Sequence, residues 1–237
     1  MKAVIKYGKR RIPVTLIKRA RRTLAITVNP DRTVLVHMPA GADRGRVIGK
    51  VTKKAKWIAK HLDYFEKNAK HVIRKEYVSG ETHSYMGRKY RLRVRNNINE
   101  RIRKSGGFIY LFTNRNGNIV HRKEMLYNWY KWQAEKKFAE ILNSRVGRLQ
   151  EYRIKLPEFY IKKMTSRWGS CSPKKGRINL NLELIKTPRE CIEYIIDHEL
   201  LHFLNRNHDK KYYELLARVT PDWKRRKEKL EKYIINQ

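Results

Sequence analysis

Acidic residues are scarce in this sequence, cysteine is nearly missing, and no long apolar run occurs. Asp and Glu together number 22 among 237 residues. The two cysteines, Cys171 and Cys191, are too few for a disulfide scaffold or a four-cysteine metal site. No apolar run approaches the roughly 20 residues that a membrane span needs, and no signal-like stretch follows Met1. A soluble, cytoplasmic protein with no membrane partner is therefore expected. What is present excludes disorder: 41% of residues are hydrophobic and 11% aromatic, enough to build a core.

The missing acids leave a large positive charge, 57 Lys and Arg giving a net +35. It is graded along the chain. Residues 1–75 hold 21 bases and 4 acids, residues 76–150 hold 16 and 6, and residues 151–237 hold 20 and 12. Such a field attracts polyanions, and the amino-terminal part is expected to bind DNA or RNA without base preference. A lysine-rich soluble surface would carry the same charge, so charge alone names no function.

The pattern of elements is α+β. Val14–Ile17, Thr23–Val28 and Thr33–Val36 are β-branched runs, the last two split by Asn29-Pro30-Asp31. A helix over about 43–69 follows, with Ile48, Val51, Ala55, Ile58, Leu62 and Phe65 stepping by 3 and 4. Its other face carries Lys50, Lys53, Lys54, Lys56, Lys60 and Lys67. Strands return at Tyr85-Met86, Tyr90–Val94 and Phe108–Phe112, with Gly87 at a turn and Asn114–Asn118 as an exit loop. A helix over about 121–149 buries Met125, Trp129, Trp132, Phe138, Ile141, Leu142 and Val146. Glu158–Ile161 and Arg177–Leu182 read as strands, joined through Trp168–Ser172 and the turn Pro173–Gly176. Thr187-Pro188-Arg189-Glu190 reads as a capping box with Pro at the first helical position. The helix it opens is apolar on most sides, so polar groups in its middle need a reason.

Those polar groups are His198-Glu199-Leu200-Leu201-His202. Histidines at i and i+4 share one helical face and can reach one ion. Glu199 projects beside such an ion, where a carboxylate takes a proton from activated water. Six residues on stands His208, completing H-E-x-x-H-x-x-N-x-x-H. Asn205 falls where the helix should stop, as a residue that tolerates the left-handed conformation. A chain turned back there brings His208 to the same ion, and Asp209 caps the next helix, Lys210–Val219. Three neutral imidazoles leave one position open, the arrangement of a catalytic zinc. A carboxylate third ligand from Glu214 or Glu228 is the alternative. His37, His61, His71, His83 and His121 have no ligand spacing and read as surface residues.

With these residues in view, the sequence resembles the YgjP-like metal-dependent hydrolases, related to SprT-like zinc proteases, over roughly 15–235. The resemblance rests on Arg21–Leu24 with Asn29-Pro30-Asp31, on Val78–Glu81 with Tyr85-Met86-Gly87, and on Arg167-Trp168-Gly169-Ser170-Cys171-Ser172. It continues through Ile178–Asn181, the His198–His202 motif and Asn207-His208. It implies a zincin-like fold with His198, His202 and His208 as zinc ligands and Glu199 as catalytic base, and it leaves the substrate open. The implied organisation is a basic α/β region over 1–119 and a zincin-like metallopeptidase domain over 120–237. The chain departs from the family where Ser and a Phe-Trp pair usually follow the third His. Here Asp209-Lys210-Lys211-Tyr212-Tyr213 stand instead, with Asp209 able to cap and Tyr213 to fill an aromatic slot.

The expected function is zinc-dependent peptide hydrolysis, a zinc-activated water attacking a carbonyl with Glu199 as general base. A protein or peptide is the expected substrate, added as a strand at an edge near Trp168–Ser172. Tyr212, Tyr213 and Arg167 are candidates for stabilising the oxyanion. Asp197 and Asn181 are candidates for fixing ligand tautomers, Asp197 having solvent exposure as its alternative. Cys171 reads as a small buried residue, with a thiolate ligand as its alternative. Two other classes stay open: a nucleic-acid-binding protein with a vestigial zinc site, and a zinc hydrolase of non-peptide amides or esters. The SprT-like resemblance implies action near DNA.

Overall fold

A computed structural model describes residues 1–21, 23–29, 31–68, 75–115, 117–164 and 167–233, with backbone alone at 64, 65, 67 and 68. Arg22, Pro30, His71 and Asn116, and the side chains of Phe65 and Lys67, therefore lie outside the described residues. The chain divides into two compact units, Met1–Ile73 and Arg74–Tyr233.

In the first unit, β1 (Lys2–Tyr7) and β2 (Arg10–Arg19) form a hairpin. β3 (Ala25–Val28) pairs antiparallel with β4 (Val34–Pro39), and β4 runs parallel to β2, giving the order β1-β2-β4-β3. Ile12, Val14 and Leu16 alternate along β2 and share a core with Val51, Ala55, Ile58 and Leu62. The expected single helix over 43–69 is two, α1 (Arg44–Thr52) and α2 (Ala55–Asn68). The Thr52 hydroxyl donates to the Ile48 carbonyl at 2.9 Å, and the Lys54 amide bonds Val51 in a tightened last turn. Such back-bonding bends a helix, here at Lys53-Lys54.

The second unit opens with β5 (Thr82–Tyr85), β6 (Arg88–Arg95), β7 (Arg101–Ser105) and β8 (Phe108–Phe112), ordered β5-β6-β8-β7. Order and pairing sense repeat those of the first sheet, although the sequence shows no repeat. β7 was not expected: it is an edge strand whose Arg101, Arg103 and Lys104 mask the strand pattern and discourage further pairing. α3 (Ile119–Arg148) covers the inner face of this sheet, burying Trp129, Phe138, Ile141 and Leu142. Trp132 is the exception to the expected buried side, half exposed beneath the Lys136 ammonium.

A three-stranded sheet follows, β9 (Glu158–Lys162), β10 (Gly169–Ser172) and β11 (Arg177–Asn181), ordered β10-β11-β9. The helices are α4 (Arg189–Leu201), α5 (Lys210–Val219) and α6 (Trp223–Tyr233). α4 lies between β10 and β11 on one side and α3 and α6 on the other, which is why its sequence is apolar all round. The capping box does not form. Thr187 turns its hydroxyl back to the Leu184 carbonyl, Pro188 takes the cap position, and Glu190 pairs with Lys229.

The expected division at 119/120 falls inside the second unit. The β5–β6 turn is locked to the start of α4: the Met86 and Gly87 amides donate to Ile185 and Lys186 carbonyls at 2.8 and 3.1 Å. Gly87 has φ of +78°, and a Cβ there would stand 2.9 Å from the Pro188 Cα. Glycine alone fits that turn.

Candidate metal centre

One turn apart on α4, the His198 and His202 rings face the same side with centroids 5.0 Å apart. The chain leaves the helix at His202 and returns through a turn held by Asn205. Asn205 is not left-handed as expected. Its side chain does the work instead, accepting the Asn207 amide at 3.0 Å and donating to Asp209 at 2.9 Å. Asp209 in turn accepts the Tyr212 amide at 2.9 Å and caps α5 as expected. His208, held between these anchors, places its Nε2 2.9 Å from His198 Nε2.

The three ligand-capable nitrogens of His198, His202 and His208 lie within 4.8 Å of one another, the one such cluster among the described residues. Tetrahedral zinc with ~2.0–2.1 Å bonds would hold such nitrogens about 3.4 Å apart, so small shifts suffice. Protonation is also right for a cation. Burial, then the neighbouring His202 and His208, pushes His198 down to about 3. Burial likewise lowers His208. His202 Nδ1 meets the Asn205 carbonyl at 3.0 Å, which fixes its proton there and leaves Nε2 as a lone pair. The buried His198 Nδ1 has no partner. These residues fit a metal ion.

Tyr212 braces the cluster from beneath. It is fully buried, its hydroxyl donates to the His198 carbonyl at 2.9 Å, and its ring stacks on His202 at 4.9 Å. It is thus bound to backbone rather than free for an oxyanion. Tyr213 stacks on Trp223 at 5.3 Å. Arg167 is the third candidate, exposed, with its charge acting on Glu199. Glu214 and Glu228 are exposed and outside the histidine cluster.

Glu199 is buried against the small side of β10. Burial pushes its carboxyl up to about 8, and Arg167 pulls against that rise. Burial, then Glu199, pushes the Cys171 thiol up to about 12, and Cys171 is not part of the cluster of converging ligand atoms. Among the described residues β10 pairs with β11 alone, so its other edge has no strand partner there.

Neither expected tautomer-fixing residue contacts a histidine. Asp197 is wholly buried, taking a bidentate ion pair from Arg145 at 2.7 Å and the Thr220 hydroxyl at 2.7 Å. Burial raises its carboxyl and Arg145 opposes that. Asn181 braces the loop before β10, donating to the Met164 and Arg167 carbonyls. The partner that sequence reasoning missed is the Asn205 carbonyl. A main-chain atom has no sequence signal, although Asn205 itself marked the turn.

Among curated proteins, none matches the chain. A family model, YgjP-like, metallopeptidase domain, matches residues 22–233. That match spans most of the chain and includes the histidine cluster. The chain belongs to the YgjP-like metallopeptidase family.

Proposed function

We propose that this protein is a zinc-dependent peptidase whose ligands are His198, His202 and His208 and whose general base is Glu199. The observation that carries this reading is a buried Glu199 on the helix that carries His198 and His202, whose ligand atoms converge with that of His208. A structural site has no use for a carboxylate that is not a ligand. Bound at these histidines, zinc supplies a Lewis acid that acidifies water and polarises a carbonyl. Glu199 takes the proton of the attacking water and returns it to the leaving amine. The open edge of β10 receives the substrate as an added strand, holding its carbonyl over the histidines.

The family supports a metal-dependent hydrolase, and the choice of peptide bond and zinc is our reading. Cytoplasmic residence is retained as part of that reading. It agrees with the lack, among the described residues, of any helix long and apolar enough to cross a membrane. Cleavage of a quenched-fluorescence peptide mixture, abolished by chelator and restored by zinc, is the expected result. Turnover of simple esters and amides but no peptide would favour the non-peptide hydrolase. Nucleic-acid affinity with no hydrolysis of either would favour a vestigial site. The amino-terminal lysines Lys50, Lys53, Lys54 and Lys60 are exposed and have no carboxylate partner among the described residues, which supports a polyanion contact there.

A further inference from the structure

The second unit carries an arrangement that the metal centre does not use. On the sheet β5-β6-β8-β7, Leu92, Ile109 and Leu111 face the core. The alternate residues point the other way. Along β8 these are Phe108, Tyr110 and Phe112, half-buried, with ring centroids 5.9 and 6.3 Å apart. On β6, Arg91, Arg93 and Arg95 stand opposite those three rings in register. On β7, Arg103 and Arg101 stand opposite Tyr110 and Phe112. The guanidinium of Arg93 lies 4.8 Å over the Phe108 ring and that of Arg101 lies 4.6 Å over Phe112.

No carboxylate among the described residues pairs with any of these five arginines. The nearest acid along the strands, Glu100, is engaged by Thr113 and His121. Arginines on both flanks of Tyr110 and Phe112, and on the β6 flank of Phe108, call for an anion that also has flat apolar faces. Single-stranded nucleic acid has both: bases that stack on rings and phosphates that pair with guanidinium. Ring spacings near 6 Å exceed the ~3.4 Å rise of duplex DNA per strand, so the bases must be unstacked from one another.

We propose that this outer face binds single-stranded DNA, with bases on Phe108, Tyr110 and Phe112 and phosphates along the two arginine rows. DNA is chosen over RNA because the side chains named here are guanidinium donors and rings, with the Tyr110 hydroxyl as their one acceptor for a ribose 2′-hydroxyl. The proposal is independent of the peptidase reading and needs no metal.

The test is fluorescence anisotropy of the full chain with labelled oligo-dT of about 15 nucleotides, matched duplex DNA and oligo-rU across a salt series. Oligo-dT should bind at least about tenfold more tightly than the duplex. Replacing Phe108, Tyr110 and Phe112 together by Leu should cost about tenfold or more in affinity. Because that variant can perturb the fold, exposed Arg93→Gln with Arg103→Gln gives a second reading. It should lower the salt slope by about 0.7 for each phosphate no longer neutralised. Affinity and slope unchanged in the arginine variant would overturn the proposal. So would loss of binding only when Lys50, Lys53, Lys54 and Lys60 are neutralised. Equal binding of duplex would also overturn it, and tighter binding of oligo-rU would overturn the assignment to DNA.

Discussion

Gly169 on β10 and Glu199 on α4 touch so closely that no side chain fits between them. A Cβ built on Gly169 would lie 2.5 Å from Glu199 Oε1 and 2.9 Å from its Cδ. The strand thus sets where the carboxylate can stand. Gly169→Ala is expected to push Glu199 aside, cutting hydrolysis by about tenfold or more while the metal stays bound. Steady-state kinetics beside metal analysis checks this, and unchanged kcat/KM would refute the positioning role.

Metal content follows from the histidine cluster. Purified protein is expected to carry about one zinc per chain, and His198→Ala to lose it. Elemental analysis with and without added zinc measures both. A chain that holds no zinc, and is not stabilised by it, would contradict the ligand assignment.

Glu199→Gln should separate binding from chemistry. The amide keeps the shape of the side chain but cannot take a proton, so zinc is retained and peptide cleavage falls by about 10²–10⁴. Cleavage at the wild-type rate would remove Glu199 from the mechanism.

The buried pair beneath the helix predicts a stability effect without a change of ligands. Arg145 and Asp197 are 7% and 0% exposed and meet at 2.7 Å. Asp197→Asn is expected to cost about 3–5 kcal/mol, because it strands a buried guanidinium. Chemical denaturation measures the cost, and replacing Arg145 and Asp197 together by Met and Leu should recover much of it.

His83 predicts a pH dependence. Against the surface position expected for it, it is buried at 3% exposure and bonded to Glu81 at 3.1 Å. Burial, helped by Lys75, pushes its imidazole down to about 4. The unfolded chain therefore takes up the proton first as pH falls below about 6.5, and this stability is present above that pH and lost toward 4. The loss by about pH 4.5 should be about 2–3 kcal/mol. Denaturant midpoints of wild type and His83→Asn across that window should converge as the pH drops.

Local spacing made much of this protein legible before any fold was known. The i, i+4 histidines, the Asp209 cap and the alternation of β2, β6 and β8 follow from helical and strand periodicity, which neighbouring residues alone determine. Edge strand β7 was hidden because its charges serve solvent, not a core. The break between α1 and α2 lay in one hydroxyl's bond to a carbonyl, and the Thr187 box failed because its two side chains found other partners, the Leu184 carbonyl and Lys229. Only the tertiary structure decided what surrounds the histidines. Asn205 offers a main-chain oxygen, Asp197 turns to Arg145 from α3, and β10 brings Gly169 against Glu199. These are interactions between residues far apart in the chain or through backbone atoms, and no residue pattern encodes such distances. The arginine rows show the same limit, since their register across β6, β8 and β7 exists only once the strands have paired.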